Sequence, residues 1–206
     1  MELQQFGWNA VTIGFIGTFL FNFVRVWGLG HQVARVWRQR SGQSLSVPAF
    51  CYQLGASGAV LTYGLFLHSL ALIINGVLSL VLLLPLVIGL GKFKGIDRAS
   101  AALLVTMVGV TLAMIFLPHK DWFFFASALG MIAASWLVPW EIWRNRHAGV
   151  VEVRMVLANL VNSTFWLIYA IAIGDWVLMF LNPNFLASGL VTLALWLRYR
   201  PRRRSV

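Results

Sequence analysis

Two asparagines, Asn75 and Asn182, sit inside long apolar runs of this 206-residue chain. An amide within hydrocarbon needs a partner, and interhelical polar contacts in membranes average only about 0.6 kcal/mol. So small a gain makes asparagine an expensive choice for mere helix glue. Each amide offers donors and an acceptor, which suits the alternating hydroxyls of a polyol. Trp166 adds an apolar face that can lie on the C–H surface of a ring while excluding water. Ser57 and Asn162 stand about one turn from Val60 and Trp166 on the same helix faces and are secondary candidates. Asn22 is a similar one. The plainer account has the asparagines bonding neighbouring helices, Trp166 packing, and the small polar residues easing close helix approach.

Other chemistries find little support. His31, His68, His119 and His147 fall in separate connectors without the spacing of a metal site, and Cys51 is the single cysteine. No disulfide within the chain, no metal and no cofactor are expected. There is no paired nucleophile and base, no nucleotide-binding loop, and no lysine in the last apolar run to hold retinal. The acids Glu2, Asp97, Asp121, Glu141, Glu152 and Asp175 all fall at or near the ends of apolar runs. No central titratable group is visible, whereas proton-coupled carriers usually place a carboxylate in the membrane.

The elements that must position these residues are membrane spans. The chain is 60% apolar and only 11% charged, against about 45–50% and 25% for soluble domains. Lipid must be the solvent for much of its surface. Residues 1–7, MELQQFG, lack a basic n-region, so a cleaved signal is not expected. Seven windows are long and apolar enough to span, roughly 8–29, 45–66, 68–91, 100–117, 121–141, 152–173 and 176–197. Fourteen of the 16 basic residues cluster in four segments: Arg35, Arg38 and Arg40; Lys92, Lys94 and Arg98; Arg144, Arg146 and Arg154; and the tail from Arg198 to Arg204. With seven spans these segments share one side, which the positive-inside rule makes cytoplasmic. The N-terminus is then outside and the C-terminus inside. Arg25 is placed near the cytoplasmic end of the first span, from which it can snorkel. The net charge of +10 is explained by anionic lipid facing these segments rather than by nucleic acid.

The sequence also repeats. A shift of 106 residues lays Trp37 on Trp143, Arg38 on Arg144, Arg40 on Arg146, Ser57 on Ser163 and Tyr63 on Tyr169. One inserted residue then brings Asn75 onto Asn182. Paired Trp, Arg and Tyr in order point to internal duplication. Three helices per copy is an odd number, so a linking helix near 100–117 is needed to keep both copies in the same orientation. The expected fold is all-α integral membrane: seven transmembrane helices in a 3+1+3 parallel repeat of three-helix bundles. Residues 1–91 form the first repeat, 92–120 the linker helix, 121–197 the second repeat and 198–206 a basic cytoplasmic tail.

These residues resemble a family pattern. RSGQSLSVPAFCYQLGASGAVLTYG with Asn75 beyond it, and NSTFWLIYAIAIGDWVLMFLNPN in the second copy, look like SWEET and SemiSWEET transporters, the MtN3/saliva and PQ-loop group. The PQ dipeptide appears as His31-Gln32, without its proline, and Val60 stands where the family pattern has a first-copy aromatic matching Trp166. The resemblance assigns Asn75, Asn182 and Trp166 to substrate binding and Tyr63 with Asp175 to an extracellular gate. It implies hinge prolines at Pro48 and Pro139, while helices 1 and 6 lack theirs. Pro183, between Asn182 and Asn184, removes a backbone donor in mid-helix and frees carbonyls that are tolerated where they face a cavity. Tyr63 also fits an ordinary interfacial belt.

The expected function is a facilitative, bidirectional uniporter of mono- or disaccharides working by alternating access in the plasma membrane, not an enzyme. A monomer suffices, with a homo-oligomer optional. The alternatives are a PQ-loop-type carrier of amino acids or other small polar metabolites, and a seven-helix cargo or signalling receptor.

Overall fold

The structure is a computed structural model that describes residues 2, 6–42, 45–146 and 153–199, except the side chains of Asn145, Arg154 and Met155. The tail cations Arg200, Arg202, Arg203 and Arg204, together with His147 and Glu152, lie outside these residues. Seven helices follow one another: α1 Ala10–Gln39, α2 Val47–Phe66, α3 Leu70–Phe93, α4 Arg98–Phe116, α5 Lys120–Asn145, α6 Val153–Ile173 and α7 Trp176–Tyr199. Six of the seven are long and apolar enough to cross a membrane. The chain is a multi-pass integral membrane protein. The exception, α2, carries Tyr52, Gln53, Ser57, Thr62 and Tyr63 and buries nine of its residues. It meets protein on both the α3 and the α4 side, so it has less need of an apolar face for lipid.

Two helices run further than the apolar windows suggest. α1 continues to Gln39 and α5 to Asn145, so HQVARVWRQ and WEIWRN are helical rather than connectors. Arginine, glutamine and tryptophan do not oppose a helix, and a charged last turn suits the negative end of the helix dipole. At 30 residues, α1 exceeds the roughly 20 needed to span.

The repeat is visible in the backbone. Arg40 and Arg146 end α1 and α5 with φ of 50° and 53°, and His68 and Gly174 follow α2 and α6 with φ of 51° and 69°. Each pair is 106 residues apart, and so are the starts of α3 and α7 and their ends. Ser69 and Asp175 hold matching cap positions. Leu72 N donates to Ser69 Oγ (3.3 Å), and Leu178 N donates to Asp175 Oδ1 (2.8 Å). The extra residue expected before Asn182 therefore does not appear at the helix ends. In this register Asn75 matches Leu181, and Asn182 lies one position on, about 100° around the helix.

The helices group into two compact units, one of residues 1–6 and 19–127, the other of residues 7–18 and 128–206. In the first, the end of α1, the start of α2 and the end of α3 enclose Val36, Cys51, Leu54, Leu86 and Leu90. Glycines let α2 and α3 close on one another. A Cβ on Gly76 would stand 2.8 Å from the Leu61 backbone, and one on Gly64 would stand 2.8 Å from Ile73 N. Trp37 Nε1 donates to the Pro85 carbonyl (3.0 Å), tying α1 to a proline inside α3. In the second unit, Gly14 of α1 lies against the Tyr169 backbone and Gly17 against the Phe165 ring of α6. Ser188 Oγ of α7 donates to the Ser135 carbonyl of α5 (2.7 Å).

Candidate functional site

In the first unit the polar centre is built on α1 and α3. Arg25 Nη2 donates to Asn75 Oδ1 (3.0 Å) and to Ser79 Oγ, and Ser79 Oγ in turn donates to the Asn75 carbonyl (2.6 Å). The expectation that Arg25 snorkels from a helix end is overturned. Because α1 runs to Gln39, Arg25 lies in its middle, about 22 Å from either end. A charged group away from the helix ends therefore does exist. It is a guanidinium, which does not give up its proton and so does not serve as a proton carrier. An arginine at the centre of a span costs about 3 kcal/mol on insertion scales. One turn before it, Asn22 is 3% exposed and its Nδ2 has no hydrogen-bond partner.

The other candidates of this unit lie on α2. Ser57 is buried and donates to the Gln53 carbonyl of its own helix (2.8 Å). Val60 is half-buried. Tyr63 is buried and stacks on Phe124, with ring centroids 4.1 Å apart and planes at 14°. Pro48 lies in the first turn of α2, where a missing N–H leaves no helix bond unmade. A hinge there acts on the connector before α2 and not on the helix interior.

In the second unit Asn182 is 3% exposed, and its Nδ2 donates to the Leu178 carbonyl one turn back (2.8 Å). Asn184 makes the same bond to Phe180 (2.8 Å). The two amides thus flank Pro183, each on a carbonyl of its own helix. Trp166 is 8% exposed and meets Tyr169 edge-on, with centroids 5.9 Å apart and planes at 89°. Asn162, one turn away, has a buried Oδ1 without a partner. Asp175 is buried and caps α7, a role that gives its carboxylate work within its own helix. Pro139 is buried inside α5. A groove of about 510 Å³ between α5 and α7 is lined by Trp136, Pro139, Trp140, Trp143 and Leu195. These residues offer a hydroxyl-rich solute little beyond indole N–H groups.

Two features escaped the sequence reading. Pro85 lies within the apolar window 68–91, and only its bond with Trp37 reveals a contact. The bond from Arg25 to Asn75 depended on the true end of α1. The spacing of Asn22 and Arg25, three residues apart and so on one helix face, was the available signal.

The class of the fold emerges by comparison. It matches the structure of a eukaryotic SWEET transporter with a TM-score of 0.76 over 91% of this chain and 95% of that one, at 17% identity. In sequence, residues 121–204 match the family described as sugar efflux transporter for intercellular exchange. The resemblance read from residues is thereby supported over the second copy, the stretch in which Trp166, Asp175 and Asn182 lie. No curated protein matches the chain.

Proposed function

We propose that the chain is a facilitative sugar carrier that exposes its substrate site alternately to the two sides of the membrane, and that it performs no covalent chemistry. The observation that carries this reading is the match of residues 121–204 to a sugar efflux family, a stretch that includes buried Asn182 and half-buried Asn184 around Pro183. Asn75 and Asn182 are the proposed substrate amides, with Trp166 as the apolar platform and Asn162, Ser57 and Asn22 as supporting polar groups. Among the described residues every carboxylate lies at or near a helix end, so transport is passive and bidirectional. Affinity is weak: a millimolar dissociation constant corresponds to about 4 kcal/mol, enough to select and not enough to trap.

The test is counterflow in proteoliposomes with a panel of labelled sugars and amino acids, with and without a pH gradient. Sugar exchange indifferent to the gradient is expected. Asn182→Ala should reduce that exchange at least about tenfold, the effect of removing one hydrogen bond of roughly 1.4 kcal/mol. Its thermal stability should hold, because alanine is the better helix former. Unchanged flux in Asn182→Ala removes that residue from the site. Exchange of amino acids alone overturns the sugar reading.

A further inference from the structure

Among the described residues the charge on Arg25 has no counter-ion. Its bonds run from Nη2 to two neutral groups, Asn75 Oδ1 and Ser79 Oγ, and among the described residues no carboxylate pairs with it. The N–H groups on Nη1 and Nε are left over. Accepting from Arg25 occupies the oxygen of Asn75 and leaves its amide donors for another partner. Asn22 adds a buried Nδ2 that bonds to nothing. The cluster is therefore rich in donors and carries one net positive charge.

Its position on α1 sets it apart from the apolar stripe of that helix. Ile13, Ile16, Leu20, Val24 and Trp27 are exposed and recur at helical spacing as the lipid stripe of α1. Arg25 lies on the opposite face, with buried Thr18, Asn22 and Val36, and yet is itself exposed. It is not lipid-facing. Its bonded end is held by Asn75 and Ser79 in the first half of α3.

We propose that Arg25, Asn22 and the Asn75 amide form an anion-recognising subsite, and that the solute carried is a sugar acid whose carboxylate supplies the missing counter-charge. A monoanion balances one guanidinium, and a phosphate dianion would overshoot it. This inference rests on the carrier reading above and narrows its substrate class.

Wild-type protein in proteoliposomes, exchanging labelled glucose, is challenged with glucuronate and with glucuronamide, which has the same shape without the charge. Glucuronate should compete at least tenfold more effectively, labelled glucuronate should itself exchange, and glucuronate should raise the melting temperature of the purified protein more than glucuronamide does. In Arg25→Gln the preference should fall to near unity, and Arg25→Lys should retain part of it. If either variant fails to fold, the wild-type comparison still decides. Equal competition by the two compounds overturns the anion subsite and leaves the sugar carrier standing. Stabilisation by glucuronate with no exchange of any solute upholds the subsite and overturns the carrier. A preference for glucuronate that persists in Arg25→Gln places the anion elsewhere and overturns the assignment.

Discussion

Asp175 carries two readings that a pair of substitutions separates. As a cap it accepts from Leu178 N at 2.8 Å. As a gate it would offer its charge to a partner outside its own helix. Asp175→Ala should cost about 1 kcal/mol, a fall of roughly 2–4 °C in melting temperature for a chain of this size. Asp175→Asn retains an equally good cap and should melt with the wild type. A change in exchange rate for Asp175→Asn at unchanged stability would then belong to the gate. Equal melting of Asp175→Ala and wild type would remove the cap. Residues at this scale were legible where chemistry stood out against lipid: Asn75, Asn182 and Trp166 are conspicuous by type alone. Their hydrogen bonds were not, because an amide such as Asn182 can turn back to a carbonyl of its own helix, here Leu178, as readily as to a neighbour.

Elements were legible in number and order, less so in extent. Hydropathy stops at the first charge, but a helix does not, so α1 and α5 outlast their apolar windows. That single error moved Arg25 from a helix end to a helix centre. Close packing was equally hidden, since a glycine in an apolar run does not announce what faces it. Gly76 faces Leu61 so closely that a Cβ would stand 2.7–2.8 Å from its Cβ, Cα and N. Gly76→Val must push α2 and α3 apart at a cost of about 1–3 kcal/mol. It should also lower exchange, because Asn75 is its neighbour in the chain. Val77→Ala, at an exposed position of the same turn, should change stability by less than about 0.5 kcal/mol. Thermal unfolding in detergent compares the two, and equal melting would mean that the α2–α3 contact is looser than the structure has it.

At the scale of the molecule, duplication explains why charge and backbone agree. Each odd helix ends in a basic last turn, with Arg38, Lys92, Arg144 and Arg198 in α1, α3, α5 and α7, while α2, α4 and α6 do not. The left-handed residues that close α1 and α5, and those that follow α2 and α6, recur at the same interval. Sequence revealed this doubling through rare residue types, whereas the displaced register of Asn182 needed the helix ends. The charge pattern predicts a cytoplasmic C-terminus and an external N-terminus. Single cysteines on a Cys51→Ser background test it with a membrane-impermeant maleimide. His68→Cys and His119→Cys, in exposed connectors, should label in intact cells. Ile96→Cys, also exposed, should label only after permeabilisation. The test is sharpest at α2, whose own apolarity falls short of a span. If α2 did not cross, His68 would share the protected side with the end of α1, and Ile96 would become the accessible position. Labelling at His68 and protection at Ile96 together require that α2 and α3 both cross, with α2 held in the membrane by its packing on α3 and α4 rather than by its own hydropathy.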